Sequence, residues 1–232
     1  MSYPRSTVSL VLTSLLDLVL PRECGGCGRP DTWWCAACRA ATAHPPVRVH
    51  PRVDPGVPCW ALGPYSGVRR HAVVAVKEKG ARALVEPLGT ALAGATRWLR
   101  SEGEIDPHEL SPLTLVPAPS RRRAARLRGG DPVTRFCRAA AAVLVPEVVT
   151  VAPILRVDGR VRDSVGLSAR ERAENLGGRI GAWRSLPGDP ARTGVVLVDD
   201  VLTTGTTAAE SVAALRRVGA RVDAVLVVAA VG

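Results

Sequence analysis

Aromatic residues are scarce: Trp, Tyr and Phe together make up 3% of the 232 residues. They are also scattered. Proteins that stack single-stranded bases interleave aromatic rings with cations, so direct nucleic-acid binding is only weakly supported. Lysine is nearly missing. Lys77 and Lys79 are the only lysines among 31 basic residues. The preference for arginine, beside abundant Ala, Val, Gly and Pro, fits the codon bias of a GC-rich genome, although that bias does not explain the net excess of positive charge. No apolar run is long enough to span a bilayer. The stretch 8–20 follows Arg5, contains Asp17 and leads through Pro21 into cysteines without a small-residue cleavage site. It reads as a short amphipathic helix packing on the domain or on a partner, and a cytoplasmic protein is expected. No internal repeat is evident.

The formal net charge is +10 and the pI near 10.3. Such a balance attracts polyanions, whether nucleotide phosphates, pyrophosphate or nucleic acid, and does not choose among them. The length accommodates one α/β core with a small appended module. Two units are expected: 1–55, an N-terminal helix and cysteine knuckle with a linker, and 56–232, the main domain.

Cys24-Gly25-Gly26-Cys27 and Cys35-Ala36-Ala37-Cys38 form two Cys-x-x-Cys knuckles at close range. This is the spacing of a tetrahedral four-cysteine zinc site, and with every position taken by a thiolate the metal would be structural. The alternatives are two disulfides, which a reducing compartment disfavours, and a redox pair, which needs a thioredoxin-like context. Trp33 and Trp34 are expected to cover the knuckle. Cys59 and Cys137 read as buried thiols. The Pro- and Val-rich stretch 43–58 reads as a linker.

Beyond it, 60–65 reads as a short strand, with helices over 67–80 and 83–99. His71 lacks a partner in sequence and reads as a solvated or capping histidine. Leu113 to Ser120 is a buried strand stopped by Pro117 and Pro119; ligands in open parallel sheets bind at such carboxyl ends. The run 121–128 carries five arginines, including Arg128, before a helix near Pro132. Arginine forks match phosphate oxygens, although a solvated basic face is an equal reading. Residues 149–155 read as a third strand, Ser168 with Glu171 as a capping box, 181–183 as a short strand and 222–231 as a last buried strand.

The densest motif is Val195-Val196-Leu197-Val198-Asp199-Asp200-Val201-Leu202-Thr203-Thr204-Gly205-Thr206-Thr207. An unbroken apolar run without alternation is a strand buried on both faces, the mark of a parallel sheet covered by helices. The loop Thr203–Thr207 offers closely spaced N–H groups ahead of a helix running on from Ala208. A helix N-terminus of this kind favours phosphate. The adjacent carboxylates repel phosphate and suit sugar hydroxyls or a metal.

This stretch resembles the ribose-phosphate signature of type I phosphoribosyltransferases. Several further segments belong with it: the four cysteines, 65–80, Val116-Pro117-Ala118-Pro119, Arg128-Gly129-Gly130-Asp131, and Gly166-Leu167 with Arg172 and Asn175. Together they resemble, over nearly the whole chain, the ComF family of competence-associated phosphoribosyltransferase-like proteins. The resemblance implies a type I phosphoribosyltransferase-like parallel sheet flanked by helices, with an N-terminal zinc knuckle. It implies that Asp199 and Asp200 hold ribose hydroxyls directly or through Mg²⁺ and that Thr203, Thr204, Gly205, Thr206 and Thr207 anchor a 5′-phosphate. Pro117, Ala118, Pro119 and Ser120 would border pyrophosphate, with Arg128 as a clamp. The implied activity is transfer of the phosphoribosyl group of phosphoribosyl pyrophosphate to a base, linked to DNA uptake. The alternative is a non-catalytic module that binds this or a related nucleotide and meets a DNA-uptake or recombination partner. Two departures bear on substrate and turnover. Gly130-Asp131-Pro132 stands where the family often has Phe-Asn-Gln, and Ser164 where a Gln often precedes Gly-Leu.

Overall fold

The computed structural model describes residues 22–120, 131–157, 180–189 and 192–232. In chain order they form helix α1 (Ala36–Thr42), strands β1 (Val47–Val49) and β2 (Cys59–Ala61), helix α2 (Gly67–Glu78), a 3-10 turn, and helix α3 (Val85–Ser101). Strand β3 (Leu113–Pro117), helix α4 (Pro132–Val143) and strands β4 (Val149–Val151), β5 (Leu155–Val157) and β6 (Ile180–Ala182) follow. The chain ends with β7 (Gly194–Leu202), α5 (Thr206–Arg217) and β8 (Val222–Ala230).

Six strands make one sheet in the order β1-β2-β8-β7-β3-β4, parallel except for the antiparallel β1–β2 pair. The expected α/β class, a mostly parallel sheet flanked by helices with an N-terminal four-cysteine cluster, is the observed one. Its centre is β7 against β8, where Val195–Val198 and Ala224–Ala229 are buried. Runs this apolar remain stable only when both faces are covered. On one face Val196, Val198, Leu226 and Val228 pack with α2, α3 and α4. On the other, Val195, Leu197, Val225 and Val227 pack with α5 and the small β5–β6 hairpin. Helix α3 presents Leu88, Leu92 and Leu99 to the first face. It crosses close to α4 at Gly89, where an added Cβ would lie 3.0 Å from the Ala140 nitrogen.

The β7–β8 register slips between Val195 and Val196, and the Asp223 carboxylate fills the irregularity by accepting the Val195 N–H at 2.7 Å. Helix α4 begins at Pro132 under an Asp131 N-cap that accepts from the Thr134 N–H at 2.8 Å, a pairing both residues favour.

Several expectations are corrected. The strand expected over 149–155 breaks at Ala152–Ile154: β4 joins the main sheet while β5 pairs with β6. The stretch 43–58 is not all linker, because it contains edge strand β1. Helix α5 starts at Thr206, two residues before the expected Ala208. The N-terminal segment 8–20, the arginine run with Arg128, Ser164, the capping box at Ser168 and Glu171, Arg172 and Asn175 lie outside the described residues. Among the described residues no helix is long and apolar enough to cross a membrane.

Candidate functional site

Strands β3 and β7 lie side by side, and the connections leaving their carboxyl ends diverge. The chain leaves β3 through α4 and returns as β4 on one side. It leaves β7 through α5 and returns as β8 on the other. The two helices cover opposite faces. A crevice opens where such connections part, and ligands in open α/β sheets bind there. Four of the expected residues reach this crevice from β3. Pro117 pairs in register with Val198, and the Ala118 N–H donates to the Val198 carbonyl at 2.8 Å. Pro119 and Ser120 follow, half-buried. The border expected for pyrophosphate therefore lies next to the acids of β7.

Asp199 and Asp200 occupy the sixth and seventh positions of β7, which continues past them to Leu202. Asp200 is buried, and its Oδ1 meets the Lys77 Nζ at 2.7 Å. Asp199 Oδ1 accepts the Asp200 N–H at 2.8 Å. Burial, followed by the charge of Asp200, pushes the Asp199 carboxyl up to about 8, with Asp131 adding to the rise; the Asp200 N–H and Lys77 oppose it. At neutral pH the Asp199 carboxyl is thus held toward its neutral form, beside an Asp200 whose Oδ1 meets the Lys77 ammonium. Neighbouring carboxylates in an apolar setting behave this way generally.

The threonine loop follows directly. Gly205 is buried, with φ 89°, and forms the N-cap of α5; Thr203, Thr204 and Thr207 are exposed. Thr204 and Thr206 hydroxyls lie 3.1 Å apart. Gly205 has no side chain to cap the helix, and the first turn holds no acid while the last holds Arg216 and Arg217. The positive end of the macrodipole faces the exposed threonines, an arrangement that suits an anion.

The four cysteines form a second centre. Their Sγ atoms all lie within 4.8 Å of one another, and they are the one such ligand cluster among the described residues. Tetrahedral Zn–S bonds of about 2.3 Å place sulfurs roughly 3.8 Å apart, so the set fits a zinc ion. The Cys35 N–H points at Cys24 Sγ and the Cys38 N–H at Cys35 Sγ. Burial raises the Cys24 thiol, but the backbone N–H groups of Cys35, Gly26 and Cys27 outweigh it and bring the thiol down to about 6. The Cys38 N–H above all lowers Cys35, while burial drives Cys38 up. Gly26 is required by close approach, since a Cβ would lie 2.7 Å from Cys38 Sγ. Trp34 is buried over the knuckle as expected, and Trp33 lies half-exposed beside it.

His71 is exposed but is not a helix cap: its Nδ1 meets the Gly26 carbonyl at 2.9 Å, tying α2 to the knuckle. Cys59 and Cys137 are the expected buried thiols; burial pushes Cys59 up to about 11 and Cys137 further. Sequence reasoning misses Lys77 at the acids. The available signal is its type, a compact cation kept at the end of α2 in a chain otherwise furnished with arginine. Asp131 enters the sequence reading only as part of a departure, and its charge acts on Asp199.

No protein-family model matches the chain, and no curated protein matches it. Among solved structures, the chain matches a hypoxanthine phosphoribosyltransferase from Staphylococcus aureus at 12% sequence identity and a TM-score of 0.34. The match covers 62% of this chain and 61% of that one, so it spans less than two thirds of the neighbour's length.

Proposed function

We propose that the crevice between β3 and β7 binds a phosphoribosyl group and that the protein transfers it from phosphoribosyl pyrophosphate to a base, releasing pyrophosphate. The observation that carries this reading is the placement of two adjacent carboxylates and an uncapped helix N-terminus along one strand and its exit, at the point where the β3 and β7 connections diverge. Asp199 and Asp200 hold the ribose hydroxyls, and Thr203–Thr207 hold the 5′-phosphate. Pro117–Ser120 border the pyrophosphate, and Arg128 serves as its clamp. A departing pyrophosphate leaves C1 electron-poor, so the protein's contribution is positioning and charge compensation rather than covalent chemistry.

The carboxylate pair supplies oxygen donors of the kind Mg²⁺ prefers. When bound with the donor, Mg²⁺ would neutralise the phosphates. Lys77 already neutralises Asp200 and would give way as the ligand enters. The four-cysteine cluster is assigned a structural zinc. The basic surface suits a polyanion or a partner of the DNA-uptake machinery, as the ComF resemblance implies.

Calorimetric titration of donor with Mg²⁺ tests the site: Asp200→Asn should abolish binding while the thermal midpoint stays near wild type, and unchanged affinity would sink the assignment. Pyrophosphate release with a panel of bases tests turnover. The second reading, a non-catalytic binder of the same ligand, is favoured by one observation. Among the described residues, His71 on the helix that carries Lys77 turns its Nδ1 to the Gly26 carbonyl of the knuckle, and no described side chain is assigned as a base. Saturable donor binding without release for any acceptor would select it.

A further inference from the structure

The segment between β1 and β2 runs across the threonine loop. The Val53 N–H donates to the Thr204 carbonyl at 2.9 Å. Gly205, the next residue, lies directly beneath the same segment. A Cβ there would meet the Val53 carbonyl oxygen and come within 2.7 Å of Pro51 Cβ. Downstream, Arg216 at the end of α5 donates to the Gly56 carbonyl at 2.8 Å, and the Gly56 N–H donates to Asp54 Oδ1 at 2.7 Å. The segment is thus fastened at both ends of α5, while its own ends continue into β1 and β2 of the main sheet.

Val53 makes these contacts through its backbone. The residue is 41% exposed, so burial does not account for its place. The turn it holds would otherwise be two exposed threonines, Thr203 and Thr204, beside a glycine, free to sample many conformations. Holding such a loop in one shape before the ligand arrives removes an entropic cost from binding.

We propose that Pro51–Val53 is a strap that fixes the anion-binding shape of Thr203–Thr207, with Val53 as a positioning residue acting through its N–H. This rests on the reading of that loop as a phosphate site. The glycine at 205 has the same cause: it admits the strap as well as the φ of 89°. The connection between the edge strands β1 and β2 thereby contributes to the site without supplying a ligand-contacting side chain.

The test measures ribose 5-phosphate affinity by calorimetry, with thermal midpoint and zinc content recorded in parallel. Val53→Pro removes the donor, Val53→Ala keeps it, and Arg216→Ala releases the far anchor without touching the loop. Loss of one hydrogen bond and its ordering effect should weaken binding about five- to twentyfold in Val53→Pro. Val53→Ala should bind as wild type, and Arg216→Ala should weaken binding about two- to fivefold with zinc content unchanged. If the wild type does not bind ribose 5-phosphate, the phosphate-site reading fails and the strap with it. If the wild type binds and both Val53→Pro and Arg216→Ala match it, the strap alone is overturned. Equal losses in Val53→Ala and Val53→Pro would overturn the role of the N–H. Should Val53→Pro fail to fold, Arg216→Ala decides: weakened binding supports the strap and wild-type binding overturns it.

Discussion

Replacing Asp199 with Asn should make the protein more stable above neutral pH and leave its stability little changed in acid. An ordinary aspartate titrates at 3.8, and Asp199 in the fold titrates at about 8. Between these values the folded state holds a proton that the unfolded state has released, so stability falls as pH rises through this window and levels off above it. Asparagine has no such titration, and its Oδ1 can still accept the Asp200 N–H. At about 1.36 kcal/mol per pH unit, the full gap corresponds to an upper limit on the order of 5–6 kcal/mol. Asp199 keeps part of its surface in water, and that contact reduces the expected gain to about 2–3 kcal/mol at pH 9. Urea midpoints for both proteins at pH 4, 6, 7.5 and 9, without added ligand or divalent cation, would measure it. The difference should widen with pH and then become flat. A difference that is constant from pH 4 to pH 9 would refute the argument, because it would mean that Asp199 is ionised throughout. The stabilised variant is also expected to lose donor affinity, the trade expected of charge kept at a binding site against its own solvation.

Gly205→Ala forces a positive φ on alanine and drives its Cβ into the strap, and should cost about 2–4 kcal/mol in urea unfolding; a loss under about 0.5 kcal/mol, the range of an ordinary surface change, would contradict the contact. Leu197→Ala, at a fully buried position in β7, should cost about 3–5 kcal/mol by the same measurement. Asp131→Ala removes the α4 cap and should cost about 1 kcal/mol, partly offset above neutral pH because a like charge near Asp199 disappears. Metal analysis of protein purified without chelator should find about one zinc per chain, and chelation should lower the thermal midpoint and abolish the protection of Trp34 from fluorescence quenchers. No zinc, or no change on chelation, would favour free thiols.

What is legible in the sequence is what local pattern determines. The unbroken run Val195–Val198 requires burial on both faces, and the cysteine spacing requires four sulfurs in one place. The prolines at 117 and 119 stop β3 where the crevice opens. What is not legible depends on pairing at a distance. Three residues with one partly buried position make β1, which no periodicity identifies and which exists only because β2 offers an edge. The run 149–155 looks continuous, but Pro153 removes a donor from the ladder, and the chain leaves one sheet for the other there. His71 looks solitary because its partner is a backbone carbonyl in the knuckle, and backbone acceptors leave no trace in sequence.

The same distinction explains why the acids look different in the fold. Read alone, the buried strand ends in the adjacent carboxylates Asp199 and Asp200. In the sheet the strand continues beyond them, so the carboxylates are held between layers rather than at a solvated tip. Asp200 meets Lys77 of α2 on the first face, and Asp199 is raised first by burial and then by the charge of its neighbour. The threonine loop, proposed to hold the phosphate, belongs by contrast to α5 on the second face and is bonded to the segment that follows β1. The proposed site therefore draws on the layers covering both faces of the sheet. A ligand spanning the acids and the loop gains from both layers at once, whereas an isolated sugar or an isolated phosphate meets only one of them. Binding should accordingly depend on the covalent link between ribose and phosphate. Ribose 5-phosphate should bind more tightly than the combined affinities of ribose and inorganic phosphate predict, because the cost of lost motion is met once instead of twice.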